Sequence, residues 1–356
     1  MARTEEELKA PIDEDFRNVI QQMIDLFTRV SKIVHGRATH TTGIAARGFA
    51  RIITPPDFPP CDFLKFGNVY PVVVRHATPR TALAPDPDPT KPPLVDVDDR
   101  TLDGGAMSIK FLQPNDASGL GFHDVMMNTG RVLFVRSARA FNTMIHTPFG
   151  KRAPLLRVKG KDDWVIDDEK LTEAYRTGSF TEFYYHSQIA FELTDSNGVV
   201  RYIKFRSIPG DRGPERGLFP PEIRAGGDTF APRWTDDDRA ENFRRTDFAT
   251  RVNHLGVDYI LQAQLHPSGD ADALNPSEYW DERYHPWLDV AQIHLSRTLT
   301  HEEMDALEFD ANRTHSSINL PLAKTADDYA SMGHARALIY WTVRKARRDS
   351  PQPHRD

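Results

Sequence analysis

The sequence predicts an α+β fold in which helices surround an antiparallel β-barrel. Two helical stretches frame the chain, at residues 15–31 and 326–348, and a series of short segments rich in β-branched and aromatic residues lies between them. The pair Asn197-Gly198 separates two of these segments, which is typical of an antiparallel hairpin. A barrel built from such strands has an interior large enough for a cofactor or an apolar ligand.

The two framing helices are predicted by different features of the sequence. In the segment 15–31, DFRNVIQQMIDLFTRVS, the apolar residues recur at intervals of three and four, which predicts an amphipathic helix. In the segment 326–348, Thr325 is a candidate N-cap, and Asp327 and Asp328 fall in the first turn. No Gly or Pro interrupts the C-terminal half of this segment, so we predict one continuous helix.

The strand predictions rest on β-branched and aromatic content and on flanking Pro, Gly and Asn residues. We predict strands at 42–54, 69–78, 106–112, 131–136, 182–195, 199–207, 248–265 and 288–295. The Pro-rich stretch 79–98 and the Gly- and Pro-rich stretch 208–240 are predicted to be long loops. Residues 1–13 and 349–356 are expected to be loose, which leaves 14–348 as a single domain.

Composition excludes several classes of protein. The content of 39% hydrophobic and 27% charged residues is that of a globular domain, and 356 residues can bury a large core. A net charge of −6 argues against a nucleic-acid partner. Cys61 is the only cysteine, so an intramolecular disulfide is impossible. No apolar run is long enough to cross a membrane and no signal peptide is recognisable, so we expect a cytoplasmic location.

The C-terminal helix carries the first candidate site. Arg336, Tyr340, Arg344 and Arg347 are spaced by three and four residues, so all four are predicted to share one helix face. An arginine one turn away favours the phenolate form of a tyrosine. A stripe of this kind also occurs on solvated helix faces, and the pattern alone therefore leaves both interpretations open.

Other residues could take part in chemistry, although each also has a purely structural explanation. His40, three residues after Arg37, could shuttle a proton because histidine titrates near neutral pH. Arg75, near the end of a predicted strand, could bind a carboxylate. Asn128 lies in a polar stretch ahead of a predicted strand, and Phe141 would be assigned to the core by its residue type.

In their order along the chain, these residues resemble the haem catalase superfamily from about residue 30 to 348. The matching segments, in order, are Arg37-Ala-Thr-His40, Arg75-His76-Ala77-Thr78, 104–111, Asp124-Val-Met-Met-Asn128, Phe141, Leu307-Glu308-Phe309-Asp310, and Arg336 with Tyr340 and Arg347. The resemblance implies a catalase-like barrel. Because it ends near residue 348, we expect no counterpart of the C-terminal helical and flavodoxin-like regions of full catalases.

The resemblance implies a ferric haem b and assigns the residues on both of its faces. Tyr340 would be the axial ligand of the iron, in keeping with the tyrosine ligand of catalases, and Arg336 would stabilise its phenolate. His40 and Asn128 would lie over the opposite face and guide a peroxide. These roles are expectations that follow from the resemblance.

The resemblance also assigns the residues around the edge and plane of the haem. Arg37, Arg75 and Arg347 would pair with the two propionates, because a planar guanidinium suits a carboxylate. Phe141 would stack on the porphyrin.

Departures from typical catalases point to a particular branch of the superfamily. Thr39 replaces the valine that precedes the distal histidine, and its hydroxyl is expected to hydrogen-bond His40. This feature and Met127-Asn128-Thr129-Gly130 are similar to catalase-related allene oxide synthases and small bacterial catalase-fold peroxidases. The expected substrate is an organic hydroperoxide, such as that of a fatty acid. The expected reaction is peroxidase turnover with a small electron donor, or dehydration or isomerisation of the hydroperoxide.

Three other interpretations remain open at the level of sequence. The chain could be a hydrogen peroxide catalase, or a non-catalytic carrier of haem or lipid that has no need of His40 and Asn128 together. A non-haem metal site built from His35, His40 and His76 would leave the Arg/Tyr helix unexplained. A homodimer is the expected assembly.

Overall fold

The computed structural model describes residues 3–34, 36–79, 98–100, 103–116, 118–148, 151–158, 160–219 and 237–349. Nearly all of the predicted 79–98 loop, half of the 208–240 loop, His35 and residues 350–356 lie outside these ranges. In the helices that the structure describes, no segment is long and apolar enough to cross a membrane.

The strands that the structure describes form one antiparallel sheet. They are β1 (Gly43–Ile52), β2 (Val69–Ala77), β3 (Ala106–Phe111), β4 (His123–Asn128), β5 (Tyr185–His186), β6 (Phe191–Thr194), β7 (Val200–Pro209), β8 (Val257–Pro267), β9 (Leu288–Thr298) and β10 (Ile318–Asn319). Within the described ranges, eight of them close a barrel in the order β7-β5-β4-β3-β2-β1-β9-β8, because β8 also pairs with β7. The predicted antiparallel barrel is confirmed.

Successive residues of each strand point to opposite sides of the barrel wall. Val74, Ile109 and Val125 lie opposite one another on β2, β3 and β4 and are fully buried in the core. The interior side of β2 is identified by His76, whose Nε2 lies 2.9 Å from the hydroxyl of Tyr259 on β8, a strand that is not its neighbour. Alternate residues therefore face outward.

The outward face of the same three strands carries polar residues. Arg75, Ser108 and Met126 lie opposite one another on β2, β3 and β4. Met126 is in contact with Arg336, which lies on the C-terminal helix. The residues of the candidate site therefore gather on the outer wall of the barrel, under the helices, and not in the barrel interior.

Seven α-helices surround the barrel within the described ranges. They are α1 (Glu5–Lys9), α2 (Glu14–Val34), α3 (Ala138–His146), α4 (Asp168–Glu173), α5 (Phe243–His254), α6 (His301–Asp305) and α7 (Ser331–Arg348). The predicted helix at 15–31 is confirmed as α2, which packs along α7. Its first turn is capped by Asp13, whose carboxylate accepts from the backbone N–H of Phe16 at 2.7 Å.

The C-terminal helix begins five residues later than the sequence predicted. Thr325 does not cap it, because its hydroxyl and backbone N–H both donate to the carboxylate of Asp328 and close a turn before the helix. Ser331 is the first helical residue, and its hydroxyl donates to the carbonyl oxygen of Ala326.

Three strand predictions were wrong, one throughout and two in part. The strand predicted at 182–195 is divided into β5 and β6 by the irregular residues 187–190. Residues 131–136 are irregular, and the strand of this region is β4, which ends at Asn128. Residues 248–254 belong to helix α5, because Phe248 and Val252 are four apart and are both buried. Gly256, with a positive φ of 79°, follows this helix and leads into β8.

Residues 3–13, part of the stretch that the sequence predicted to be loose, contain helix α1. Thr4 and Glu7 form a reciprocal capping box at the start of α1. Leu8 is buried, and its carbonyl oxygen lies 2.7 Å from Nε2 of His334 on α7. This buried contact attaches the N-terminal residues to the C-terminal helix, and it has no local signal in the sequence.

A network of buried charges on the outer wall joins β4 to the chain ahead of α7. The carboxylate of Asp124 pairs with Lys110 at 2.9 Å and with Arg313 at 2.7 Å. It also accepts from the backbone N–H of Asp310, whose own carboxylate pairs with Arg344 of α7 at 3.1 Å. Burial raises the pKa of Asp124 and lowers that of Lys110, and their mutual attraction opposes both shifts.

We predict that Asp124→Asn destabilises the protein by about 3–5 kcal/mol, because it leaves Lys110 and Arg313 buried without their shared counter-charge. Urea unfolding followed by circular dichroism measures this loss. Arg131→Gln is the matched control, since it breaks a pair with Glu282 whose two side chains are each 45% exposed. A wild-type urea midpoint for Asp124→Asn, or an equal loss in the control, would contradict the prediction.

Candidate active site

His40 lies between α2 and β1. Its backbone has a positive φ of 55°, which is uncommon for a residue with a side chain, and its carbonyl oxygen accepts from Nη2 of Arg75 at 2.8 Å. Its Nδ1 lies 3.0 Å from the hydroxyl of Thr39. Burial, together with the charges of Arg75 and Arg336, lowers the pKa of His40 to about 3. The imidazole is therefore neutral at neutral pH.

Asn128 ends strand β4 and faces the same space. Its side chain lies next to the imidazole of His40, where it opposes the lowering of the pKa of that ring. On its other side, Nδ2 of Asn128 donates to Oε1 of Gln188 at 3.3 Å. The next residue, Thr129, closes the strand end, because its hydroxyl donates to the carbonyl oxygen of Ala174. The pair that the sequence predicted to be distal is thus brought together from two distant segments.

Two arginines converge on the segment that follows α6. Nη2 of Arg37 donates to the carbonyl oxygens of Met304 and Leu307, at 3.0 and 2.9 Å, and its Nη1 pairs with Asp305 at 3.3 Å. Nη2 of Arg347 donates to the same carbonyl oxygen of Leu307 at 3.2 Å. The two guanidinium groups are therefore held close together although they are far apart in sequence.

Arg75 completes a cluster of three arginines with Arg37 and Arg347, which we call the arginine cluster. Burial, followed by repulsion from Arg75 and Arg347, holds the pKa of Arg37 well below its ordinary value. The pKa of Arg75 is lowered to about 10, chiefly by burial. Within the described part of the chain, Asp305 is the one carboxylate within 4 Å of any of the three guanidinium groups. The cluster therefore carries excess positive charge.

Helix α7 carries the pair predicted to hold the iron. Nη2 of Arg336 donates to the hydroxyl of Tyr340 at 3.4 Å and also contacts the sulfur of Met126 on β4. Tyr340 is half-buried and packs against the core. Arg344, although it shares the helix face, pairs instead with Asp310. Of the four residues predicted to share this helix face, Arg336, Tyr340 and Arg347 therefore lie at the candidate site. Arg344 instead attaches the helix to the barrel side through Asp310.

Phe141 lies on helix α3, which the sequence analysis did not predict. Its ring is stacked on that of Phe27 of α2, with centroids 6.5 Å apart. It is half-buried against the core. The contact fixes the position of the ring, while its predicted role in stacking on a porphyrin stays a prediction.

The structure gives no support to a site for a bare metal ion. Among the residues that the structure describes, no three His, Cys, Asp or Glu side chains are grouped so that they could hold a metal ion. His76, one of the three predicted ligands, points into the barrel interior and is bonded to Tyr259. His35, another of the three, lies outside the described residues.

The sequence is similar to several known proteins, although no protein-family model matches it. It is 45% identical over 234 residues to the uncharacterized protein y4iK of Sinorhizobium fredii, covering 64% of this chain and 99% of that protein. It is 27% identical over 333 residues to linolenate 9R-lipoxygenase of Nostoc and 28% identical over 319 residues to the allene oxide synthase-lipoxygenase protein of Plexaura homomalla. These two matches cover 93% and 88% of this chain but only 41% and 28% of the relatives.

The structure is similar to solved catalases. A fungal catalase has a TM-score of 0.59 and 16% identity, and the match covers 89% of this chain and 59% of the catalase. Catalase A of Saccharomyces cerevisiae has a TM-score of 0.60 and 16% identity, with 88% and 61% covered. The fold is therefore that of the catalases, and the sequence is similar to the lipoxygenase and allene oxide synthase-lipoxygenase proteins named above.

In this catalase-fold protein, the structure brings together most of the residues that the sequence singled out. His40 is hydrogen-bonded to Thr39 and lies next to Asn128, and the arginine cluster lies beside them through the Arg75–His40 contact. Gln188 was missed, since it is 60 residues from Asn128 in sequence and lies in no recognisable motif. Asp305 was missed for the same reason, because its partner Arg37 is 268 residues away.

Three histidines with strongly lowered pKa values predict that this catalase-fold protein is labile in acid. Burial lowers the pKa of His40, His76 and His123 to about 3, from an ordinary value of 6.5. Between about pH 5.5 and pH 4, the unfolded chain binds one more proton per histidine than the folded chain, so the free energy of unfolding falls by about 1.4 kcal/mol per pH unit for each ring. Together the three rings contribute a fall of about 4 kcal/mol per pH unit on acidification.

Urea unfolding at a series of pH values between 7 and about 4 measures this slope. His123→Phe is the diagnostic variant, because His123 is packed among Phe63, Phe111 and Phe205 and a phenylalanine suits that environment. We expect this variant to lose about 1.4 kcal/mol per pH unit of the slope. An unfolding free energy that stays flat from pH 6.5 to 4.5, or an unchanged slope in the variant, would show that these rings are protonated in the folded state.

Proposed function

We propose that the protein is a haem-dependent enzyme that cleaves the O–O bond of organic hydroperoxides, with fatty-acid hydroperoxides as the substrate class. One observation carries the proposal: a neutral His40, next to Asn128, lies beside three clustered arginines, of which only Arg37 pairs with a carboxylate in the described part of the chain. Proteins of the catalase fold generally bind haem. Among the relatives, the names of two refer to a lipoxygenase or an allene oxide synthase.

The residues of this chain fit haem b. The group carries two propionate carboxylates, and the arginine cluster has the excess charge to pair with both. Nε of Arg75 is buried and has no hydrogen-bond partner in the described part of the chain, as expected of a donor that awaits an anion. Tyr340, supported by Arg336, would supply the axial phenolate. Phe141 would stack on the porphyrin.

When bound, the haem would supply the iron chemistry that breaks the O–O bond. The chain itself would bind and orient the hydroperoxide. Because His40 is neutral, its ring offers one N–H and one lone pair. Its Nδ1 is engaged by Thr39, so the Nε2 side of the ring, next to Asn128, would face the substrate oxygen atoms and orient them. Product analysis then distinguishes peroxidase turnover, which needs an electron donor, from dehydration or isomerisation of the hydroperoxide.

The test is an absorption spectrum of the haem-loaded protein, followed by reaction with a fatty-acid hydroperoxide and, separately, with hydrogen peroxide. We expect a Soret band, rapid loss of the lipid hydroperoxide and little oxygen from hydrogen peroxide. Absence of a Soret band would indicate that the protein has a catalase-like fold by ancestry but does not bind haem. Vigorous oxygen evolution would identify a hydrogen peroxide catalase, and a Soret band without turnover of either peroxide would identify a carrier.

The arginine cluster has its own test within the same experiment. Arg347→Met is expected to weaken haem binding by about tenfold or more, since it removes one charge-assisted hydrogen-bond donor from the cluster. Arg348→Met is the matched control, because Arg348 is exposed and pairs with Glu308. Haem titrations of both variants, followed at the Soret band, compare them. Equal affinity in the two variants would remove the cluster from the haem site.

We further predict that Thr39→Val raises oxygen evolution from hydrogen peroxide. The valine has nearly the same shape but cannot donate to Nδ1 of His40, so the imidazole regains a free nitrogen for a second peroxide. Thr28→Val is the control, since the Thr28 hydroxyl is buried on α2 and has no hydrogen-bond partner in the described residues. Unchanged oxygen evolution at equal haem content would contradict the role given to Thr39.

A further inference from the structure

Gln188 occupies a strained position beside Asn128. It follows β5 and is buried, and its backbone has a positive φ of 61°. The backbone N–H of Ile189 donates to the carbonyl oxygen of Ser187 at 2.7 Å, so Gln188 is the central residue of a γ-turn. A γ-turn with positive φ is rare and strained for a residue with a side chain. The fold therefore holds this glutamine in place against its backbone preference.

The side-chain amide of Gln188 can adopt only one orientation. Its Nε2 faces three backbone carbonyl oxygens, those of Thr129, Gly130 and Val132, at 3.2, 3.2 and 3.3 Å. A carbonyl oxygen has no hydrogen to donate, so a flipped amide would place Oε1 against three acceptors and leave all of them unpaired. Oε1 must therefore face Asn128.

This orientation determines which atoms Asn128 presents to the site. Only an N–H can satisfy Oε1 of Gln188, so Nδ2 of Asn128 points toward it, at 3.3 Å. The amide oxygen of Asn128 then points away from Gln188. The imidazole of His40 is the neighbour of Asn128 on the side of the site, so the amide oxygen is the atom of Asn128 that remains to face it. The ring nitrogen that faces Asn128 must therefore carry a hydrogen.

The tautomer of His40 follows from these two contacts. Nδ1 is the nitrogen next to the hydroxyl of Thr39, which leaves Nε2 for Asn128. A neutral imidazole has one N–H, so the hydrogen resides on Nε2 and Nδ1 accepts from Thr39. In the series of contacts from Gln188 through Asn128 and His40 to Thr39, each donor then faces an acceptor.

We propose that Gln188 is a positioning residue, which fixes the orientation of the Asn128 amide and, through it, the Nε2–H tautomer of His40. The proposal takes from the proposed function only that His40 and Asn128 face the substrate. It assigns a task to a residue that touches neither the substrate nor the haem. The strained γ-turn is the backbone conformation that delivers the amide to the three carbonyl oxygens.

The first test reads the tautomer of His40 directly, by nitrogen NMR of the full chain labelled with ¹⁵N-histidine and free of haem. His40→Ala identifies the signal. We expect Nε2–H in the wild-type protein and a mixture of tautomers in Gln188→Met. Gln188→Gly is a second variant that removes the amide but adopts the positive φ without strain. Circular dichroism checks that each variant is folded.

Gln264→Met is the matched control. Gln264 is also a buried glutamine whose Nε2 donates to backbone carbonyl oxygens, those of Trp280 and His285, but it has no contact with Asn128. We expect the control to keep the wild-type tautomer of His40. An unchanged tautomer in the folded Gln188 variants, or an equal change in the Gln264 variant, would overturn the proposal.

The second test is a double-mutant cycle in the haem-loaded enzyme. Gln188→Met is expected to lower kcat/KM for the hydroperoxide by about tenfold, mostly in kcat, as for the loss of one hydrogen bond. In an Asn128→Ala background the same substitution should have no further effect. Additive losses would overturn the proposal. If the enzyme turned over no hydroperoxide at all, the proposed function would fail while the NMR test would still decide the role of Gln188.

Discussion

The segment from Met304 to Asp310 is the structural feature on which the candidate site depends. It accepts hydrogen bonds from Arg37 and Arg347 through its backbone carbonyl oxygens and pairs with Arg344 through Asp310. The carboxylate of Asp124, buried on β4, holds the end of this segment from the barrel side. Three parts of the chain that are distant in sequence are thereby held in register at one place.

The Asp124 network can hold the segment from Met304 to Asp310 in place because Asp124 and Lys110 are buried. A carboxylate that is fully buried stabilises a fold only when its partners are in place, and Asp124 has both Lys110 and Arg313. Replacing either partner by water would need space that the packed wall does not provide. Such a network contributes specificity of position more than free energy, and β4, which ends in Asn128, is the element that it positions.

The arginine cluster has the opposite character, since its charges are only partly balanced by the protein. Arg37 and Arg75 are buried close to each other and to Arg347, and repulsion among the three adds to the cost of their burial. Local rules of folding disfavour such an arrangement, and exceptions of this kind concentrate at functional sites. A bound dianion would convert the repulsion into attraction, as the two propionates of the proposed haem would do.

The sequence predicted the elements whose periodicity is local. Helix α2 and the β6–β7 hairpin were recognised from apolar spacing and from Asn197-Gly198. Strand β4 was missed because Asp124, which is buried on its outer face, breaks the expected alternation of apolar and polar residues. Helix α5 was missed because only two of its turns carry a buried apolar residue on the packed face, Phe248 and Val252. Buried charges and weakly amphipathic helices are the cases that periodicity cannot resolve.

The residues of the candidate site also fall into two groups, those that the sequence identified and those that it did not. His40, Asn128 and the arginines were singled out because they stand in a recognisable order along the chain, which the resemblance made visible. Gln188 and Asp305 act through contacts that span 60 and 268 residues, and no local pattern distinguishes them from other polar residues. Only the closure of the barrel and the docking of the helices bring these partners together.

Arg75 shows how the two halves of the site are coupled. Nη2 of Arg75 donates to the carbonyl oxygen of His40, whose backbone is in the left-handed conformation. Nε of Arg75 is buried and has no hydrogen-bond partner in the described part of the chain. Gly43 makes room for this guanidinium, since a Cβ at that position would lie 2.7 Å from Nη2 of Arg75. An anion that pairs with the cluster would therefore also fix the guanidinium that holds His40. Binding of an anion at the arginine cluster would thus also stabilise the position of His40, through the side chain of Arg75 alone. This effect would need no movement of the barrel.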